Sequence, residues 1–169
     1  MAIARLTSMR EPKLHEALDS LSFLVGTWRG TGRGHYPTIK DFTYEEETRF
    51  WHTGRPFLFY MQRTWAPHSG DAMHTEMGYW RPKAEGNIEA VLSHSFGIVE
   101  IDEGKIEGRK ISLESTSLTS TPTAETVEAL ARVFEESDDV LTYELRMAFG
   151  ENELQPHLGA ELKRVTGRD

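Results

Sequence analysis

The stretch Leu141-Thr142-Tyr143-Glu144-Leu145-Arg146-Met147-Ala148-Phe149 decides the fold class. Its large apolar residues alternate with polar or small ones, which predicts a β-strand with one buried face. Several shorter runs of the same kind precede it, separated by turns rich in glycine, proline and aspartate. Many short strands joined by turns predict an all-β barrel or sandwich. Full closure, into a single antiparallel up-and-down β-barrel of about eight to ten strands, would remove the open edges of the sheet.

The earlier strands are predicted from the same alternation and from the turns that bound them. They are Phe42–His52, Phe57–Trp65, His74–Trp80, Ile88–His94, Gly97–Ile101 and Lys105–Leu113. The residue types of Asp102-Glu103-Gly104 favour a hairpin turn between the last two. Before the barrel, Leu14, Leu18 and Leu21 fall on one helical face, which predicts a short N-terminal helix that acts as a lid or plug at one barrel end.

The segment from Thr123 to Phe134 has conflicting signals. Val127, Leu130 and Phe134 have helical spacing, and the run Glu-Ala-Leu-Ala has high helix propensity. A closed barrel nevertheless needs a strand here. Because non-local pairing can override local propensity, we predict a strand over at least Leu130–Glu135.

Composition indicates one globular domain. The chain has 169 residues, of which 38% are hydrophobic and 27% charged, and its formal net charge is −8. We divide it into an N-terminal tail (1–13) and one barrel domain (14–166). The acidic balance and lack of a basic patch argue against nucleic-acid binding, and no apolar run is long enough for a membrane span or a secretory signal. A cytoplasmic location is therefore expected.

The chain contains no cysteine, which excludes disulfides, thiolate metal ligands and covalent cofactor attachment through cysteine. Two other features are candidates for function. The glycine-rich run from Gly26 to Gly32 carries Trp28 but lacks the Gly-Lys-Ser/Thr ending of a phosphate loop. His157 begins a strand directly after Pro156; a histidine there is usually structural, but a neutral imidazole is also the commonest ligand for haem iron and zinc.

The ordered motifs of the chain resemble the nitrobindin family of β-barrel haem proteins. The glycine-rich run matches the Gly-x-Trp-x-Gly-x-Gly signature through Gly26, Trp28, Gly30 and Gly32. The other matches are Phe42-x-Tyr44-x-Glu46-Glu47, Gly54-x-Pro56-Phe57-Leu58, His74-x-Glu76-x-Gly78-Tyr79, Gly97-x-x-Glu100, Pro122-Thr123-Ala124 and Leu154-Gln155-x-His157-Leu158. The resemblance covers about Leu21 to Arg164.

The resemblance implies a lipocalin-like, ten-stranded barrel that binds one non-covalent haem b per chain. His157 would be the axial ligand of the iron. The pocket would also be lined by Thr38, Met73, His74, His94 and Met147. It further implies nitric oxide binding and conversion of peroxynitrite to nitrate at ferric haem, and it leaves a homodimer open.

Two positions depart from what the resemblance implies. Some bacterial relatives have a haem-contacting lysine after Pro-Thr-Ala, where this chain has Glu125, a residue unable to donate a hydrogen bond when ionised. Strict strand alternation also places His157 on the face opposite Leu158 and Leu162. We therefore predict an irregularity or bulge near Pro156 that turns His157 toward the pocket.

The residues also allow other functions and other roles for single side chains. A non-enzymatic carrier of an apolar molecule, of lipocalin or fatty-acid-binding type, would need a basic residue inside the barrel for a carboxylate, with Arg63 and Arg146 as candidates. A haem protein could also serve nitric-oxide sensing or haem storage. His74 and His94 could hydrogen-bond within the barrel, and Met147 could fill the core. The run Glu45–Glu47 suits a solvated surface, with Glu46 able to face inward.

Overall fold

A computed structural model describes residues 12–36, 39–150 and 152–166. This part of the chain forms a 3₁₀ helix (Glu16–Leu24), a short 3₁₀ turn (Ala84–Gly86) and ten strands. The strands are β1 (Gly26–Tyr36), β2 (Ile39–Trp51), β3 (Leu58–Trp65), β4 (Ala72–Pro82), β5 (Asn87–His94), β6 (Ile98–Glu107), β7 (Lys110–Ser120), β8 (Val127–Ser137), β9 (Val140–Phe149) and β10 (Gln155–Arg164).

The strands form one closed antiparallel barrel. Each strand pairs with its neighbours in sequence, and β1 closes the sheet by pairing with β10. The all-β fold predicted from the alternation, and the up-and-down barrel of about ten strands implied by the family resemblance, are therefore confirmed. Closure leaves the sheet without an open edge. Among the described residues, we find no helix with the length and apolar character needed to cross a membrane.

The segment from Thr123 to Phe134, where helix and strand signals conflict, contributes to strand β8. In β8 every second residue from Leu130 to Glu136 is buried, which is the two-residue period of a sheet. Pairing with β7 and β9 fixes this conformation. The predicted strand over Leu130–Glu135 is confirmed, because hydrogen bonding on both sides outweighs the local helix propensity.

The predicted hairpin at Asp102-Glu103-Gly104 is wrong. These residues lie inside β6 and pair with both β5 and β7. The turn is instead at Gly108 and Arg109, where Gly108 has a φ of 64° and Glu107 pairs with Lys110. Asp102 belongs in the strand because its side chain faces the barrel interior, where the guanidinium of Arg132 approaches it. Tertiary charge pairing here overrides a local turn preference.

The 3₁₀ helix closes one end of the barrel. The sequence predicts this role for a short N-terminal helix. Leu18, Leu21 and Leu24 are fully buried in the core. Trp28 Nε1 donates a hydrogen bond to the Leu24 carbonyl oxygen at 2.8 Å. The Arg164 guanidinium lies 4.0 Å from the centre of the Trp28 ring and donates to main-chain oxygens at the end of the helix. These contacts stabilise a packed floor.

The glycines of the motif let neighbouring groups pack directly against the backbone of β1. A Cβ atom on Gly30 would lie 2.0 Å from the Glu161 carbonyl oxygen, and one on Gly32 would lie 2.2 Å from the Tyr44 ring. Side chains at either position would displace the neighbouring strand or the ring. The motif therefore has a structural function in bending and packing β1, with Trp28 forming the floor.

Candidate functional site

A cavity lies toward the barrel end away from the 3₁₀ helix. Its volume is about 280 Å³. The apolar lining residues are Phe42, Met73, Phe96, Ile98, Val127, Leu130, Leu145, Met147 and Leu158. The polar lining residues are Tyr44, Thr64, His74, Glu76, His94 and His157. A cavity of mainly apolar lining with a few convergent polar groups is typical of a small-molecule site.

His157 reaches this cavity through an irregularity in β10. Pro156 pairs with Arg146 and Leu158 with Leu145, so His157 is the extra residue of a β-bulge. As a result His157 and Leu158 both line the cavity although they are adjacent in sequence. The irregularity predicted near Pro156 is confirmed, because a bulge is the local distortion that changes the face a side chain occupies.

The His157 ring has a defined orientation. Its Nδ1 lies 2.7 Å from the His35 carbonyl oxygen. Since a carbonyl oxygen can only accept, Nδ1 carries the hydrogen, and the lone pair of the neutral ring is on Nε2. Burial lowers the pKa of His157 and so favours this neutral form. A metal-ligating histidine is commonly oriented by such a hydrogen bond from its other ring nitrogen.

The remaining predicted pocket residues have different locations. Met147 is buried on the inner face of β9 and lines the cavity. Met73 lines it too but is 45% exposed at the rim. Thr38 lies outside the described residues. Glu125 is exposed in the loop before β8. Haem contacts by these residues, or the loss of one at Glu125, stay predictions.

His74 and His94 lie side by side in the cavity wall with Glu76 between them. His74 Nε2 is 3.3 Å from Glu76 Oε2, and His94 Nδ1 is 3.2 Å from the same oxygen. The two ring nitrogens are 3.4 Å apart. On its other side, His94 Nε2 lies 3.0 Å from Glu100 Oε1. Both histidines therefore form hydrogen bonds within the barrel, which the sequence allowed beside a role in lining the haem pocket.

A buried charge cluster lies directly behind these histidines. Arg132 Nη1 donates to Glu76 Oε1 at 2.6 Å, and Arg132 Nη2 donates to Glu100 Oε1. Although burial acts in the opposite direction, the Arg132 guanidinium holds the pKa of the Glu76 carboxyl well below its usual range. Burial, reinforced by Glu100, raises the pKa of Asp102 to about 7. Arg132 thus keeps Glu76 ionised inside the barrel.

A second buried carboxylate belongs to Glu46. Its oxygens accept hydrogen bonds from Thr48 at 2.7 Å, Gln62 at 2.9 Å and Tyr143 at 2.7 Å. Burial raises the pKa of Glu46 to about 6. Glu46 therefore faces inward, as the sequence allowed. Glu47 faces outward but is covered, because Arg29 and Arg63 pair with it.

The arginines predicted for a carboxylate site do not face the barrel interior. Arg63 lies on the outer face of β3 with its side chain 44% exposed. Arg146 is exposed and donates to the Leu154 carbonyl oxygen at 2.7 Å. Strand alternation explains both, because the neighbours of each residue face inward. Among the described residues, the buried guanidinium is that of Arg132, which is already paired with Glu76 and Glu100.

Sequence reasoning did not identify this buried cluster. The spacing His74-x-Glu76 was a usable signal, since residues two apart in a strand share a face. Arg132, flanked two positions away by Leu130 and Phe134, was another. The contribution of Glu100 and Asp102 could not be predicted, because it depends on the register of β6 against its neighbours.

A closed barrel with a cavity and an oriented histidine at its mouth defines a small-molecule-binding barrel protein. The chain belongs to the THAP4-like, heme-binding beta-barrel domain family, whose model matches residues 17–164. The sequence resemblance to haem-binding barrels is thereby confirmed, and haem is the cofactor of this family.

Individual relatives agree with this assignment. The chain is 44% identical over 156 residues to a peroxynitrite isomerase of Arabidopsis thaliana, covering 91% of this chain and 92% of that protein. It is 47% identical over 155 residues to peroxynitrite isomerase 2 of Mycobacterium ulcerans, covering 89% and 96%. The crystal structure of Rv2717c from M. tuberculosis superposes with a TM-score of 0.85 at 43% identity, covering 91% of this chain and 100% of that one.

Proposed function

We propose that this chain binds one haem b through His157 and isomerises peroxynitrite to nitrate at ferric haem. The relatives named peroxynitrite isomerase support the reaction. The observation that carries the proposal is the orientation of His157, whose Nδ1 donates to the His35 carbonyl oxygen at the mouth of the cavity. We also propose that nitric oxide binds at the same iron.

The residues of the cavity suit haem. Phe42, Leu130, Leu145 and Met147 give an apolar surface that favours a large flat ring over water. The neutral His157 ring has its lone pair on Nε2, the nitrogen that can bind iron. With no cysteine in the chain, the attachment is non-covalent.

The chain's own residues have three tasks in this reaction. His157 would hold the iron, and its hydrogen bond to His35 would keep the ring from rotating. The apolar residues would exclude water from the reacting anion. The polar groups Thr64, His74 and His94 would give another side of the cavity a polar surface. Ferric haem, when bound, supplies a Lewis acid, and the isomerisation itself consumes no proton, electron or co-reactant.

Two other functions, carriage of an apolar carboxylate and nitric-oxide sensing or haem storage, would give different experimental results. Carriage of an apolar carboxylate needs a basic group available in the cavity, whereas Arg132 is paired with Glu76 and Glu100. Nitric-oxide sensing or haem storage needs the same haem site but no acceleration of peroxynitrite decay. Kinetics therefore distinguish these roles from the proposed isomerase.

The test is a stopped-flow measurement of peroxynitrite decay with nitrate yield. We expect the haem-loaded wild-type chain to accelerate decay and to raise the nitrate yield above that of the haem-free chain. His157→Ala should lose the acceleration, whereas His68→Ala, an exposed histidine, should retain it. A haem-loaded wild type that leaves both rate and yield unchanged would contradict the isomerase assignment and favour sensing or storage.

A further inference from the structure

The contacts among His74, Glu76 and His94 have a geometry that a hydrogen-bonded pair does not require. Three donor atoms, His74 Nε2, Glu76 Oε2 and His94 Nδ1, form a nearly equilateral triangle with sides of 3.2, 3.3 and 3.4 Å. Ligands bound at about 2.0–2.1 Å to a tetrahedral zinc ion lie roughly 3.3–3.4 Å apart. The triangle therefore has the size of one face of such a coordination shell.

We propose that His74, Glu76 and His94 form a binding site for a divalent transition-metal ion, and that Zn²⁺ fits it best. Two histidines and one carboxylate are a known three-ligand set for zinc with an open fourth position. All three residues line the cavity, so the fourth ligand, a water or a small anion, would come from the cavity. The three ligands do not include His157, which lines the same cavity.

The groups around the triangle hold two of its three ligands, His94 and Glu76, in the orientation that metal binding needs. His94 Nε2 lies 3.0 Å from Glu100 Oε1, so that nitrogen can donate its hydrogen and leave the lone pair on Nδ1. Glu76 Oε1 accepts from Tyr60 at 2.7 Å and from Arg132 at 2.6 Å. These contacts engage one oxygen of Glu76 and direct the other, Oε2, at the two histidines.

The charges of the cluster also favour a cation. Within the described part of the chain, the carboxyls of Glu76, Glu100 and Asp102 surround the single buried guanidinium of Arg132. Glu100 Oε2 and both Asp102 oxygens are buried without a hydrogen-bond partner. Buried anionic groups are stabilised by a nearby cation. Glu76 and Glu100 share the one guanidinium, and a divalent ion at the triangle would add positive charge beside them.

The competing explanation is an imidazolium at His94 that bridges Glu76 and Glu100. Such a bridge accounts for the contacts of His94 to both carboxylates. It does not require His74 Nε2 to lie within 3.4 Å of His94 Nδ1 and 3.3 Å of Glu76 Oε2. Two histidines pointing nitrogens at one oxygen are better explained by a shared ion.

The test is metal binding by the full chain, with and without haem. Zn²⁺ is titrated calorimetrically into both forms, and Co²⁺ is added to the haem-free form so that its d–d absorption reports the geometry. We expect one ion per chain, tetrahedral cobalt bands, and an affinity that falls about 100-fold or more in His74→Ala. His74 is chosen because its side chain is 20% exposed, so its removal disturbs the core less than removal of the buried Glu76.

Controls separate this site from adventitious binding and from the haem site. His157→Ala should bind hemin at least about tenfold more weakly but keep the zinc affinity of the wild type. His68→Ala, which removes an exposed histidine outside the cavity, should bind zinc normally. The proposal is overturned if neither form of the wild type takes up one ion per chain, or if His74→Ala and Glu76→Gln bind zinc as the wild type does.

Discussion

The two sides of the cavity differ in chemistry. The side formed by β8, β9 and β10 is apolar apart from His157, whereas the side formed by β3, β4 and β5 carries Thr64, His74, Glu76 and His94. The apolar side suits a large ring and loses little on desolvation. The polar side contains buried charges whose desolvation must be offset by pairing. One cavity therefore combines an apolar surface that suits a large ring with an opposite surface of paired polar groups.

Removing the central cation of the polar side should have the largest effect. We expect Arg132→Met to lower the free energy of unfolding by about 3–5 kcal/mol, because Glu76 and Glu100 would remain buried without their partner. Urea denaturation at neutral pH measures the change. In the control Arg146→Met, the lost side chain is exposed, and the change should stay within about 0.5 kcal/mol. A loss below about 1 kcal/mol in Arg132→Met would show that the buried charges are not balanced by this arginine.

The second prediction concerns the pH dependence of stability. Burial raises the pKa of Glu46 from 4.5 to about 6, so the folded chain binds this proton more tightly than the unfolded chain. The free energy of unfolding should therefore fall by about 2 kcal/mol as pH rises through this window. Glu46→Gln lacks the titration, so the difference in stability between wild type and variant should change by that amount. Parallel stability curves for the two proteins would contradict the inferred burial.

The smallest effect is expected on the apolar side. Leu158 lines the cavity and is half-buried, whereas Leu162, four residues further along β10, is fully buried in the core. We expect Leu158→Ala to weaken hemin binding several-fold, about 1 kcal/mol, because part of the apolar contact is lost. Leu162→Ala should lower the free energy of unfolding by about 2–5 kcal/mol with hemin affinity unchanged. Equal hemin affinities for the wild type and Leu158→Ala would place the ligand elsewhere.

Much of the apolar side could be predicted from sequence, because local patterns determine it. The alternation from Leu141 to Phe149 predicts β9 and its buried face. The bulge near Pro156 is predicted because strict alternation would turn His157 away from the pocket in which the family resemblance places it. The strand at Leu130–Glu135 required the additional argument that a barrel must close. For β8 and β9 a local pattern with at most one topological constraint was sufficient, whereas the bulge also required the resemblance.

The polar side could not be predicted to the same extent. Glu76, Glu100 and Arg132 come from β4, β6 and β8, and only the sheet register brings them together. The incorrect hairpin at Asp102–Gly104 has the same origin, since the charge that holds Asp102 inside is supplied by a residue thirty positions away in the sequence (Arg132). Long-range pairing of buried charges leaves no local pattern.

The most direct test of the account is a titration of the haem-free chain with hemin, followed by the Soret absorption band. We expect the wild type and His68→Ala to bind one hemin per chain with a ferric histidine-ligated spectrum. His157→Ala should lose that spectrum and bind hemin at least about tenfold more weakly, because its iron ligand is removed. An unchanged spectrum and affinity in His157→Ala would contradict the central claim that His157 holds the haem iron.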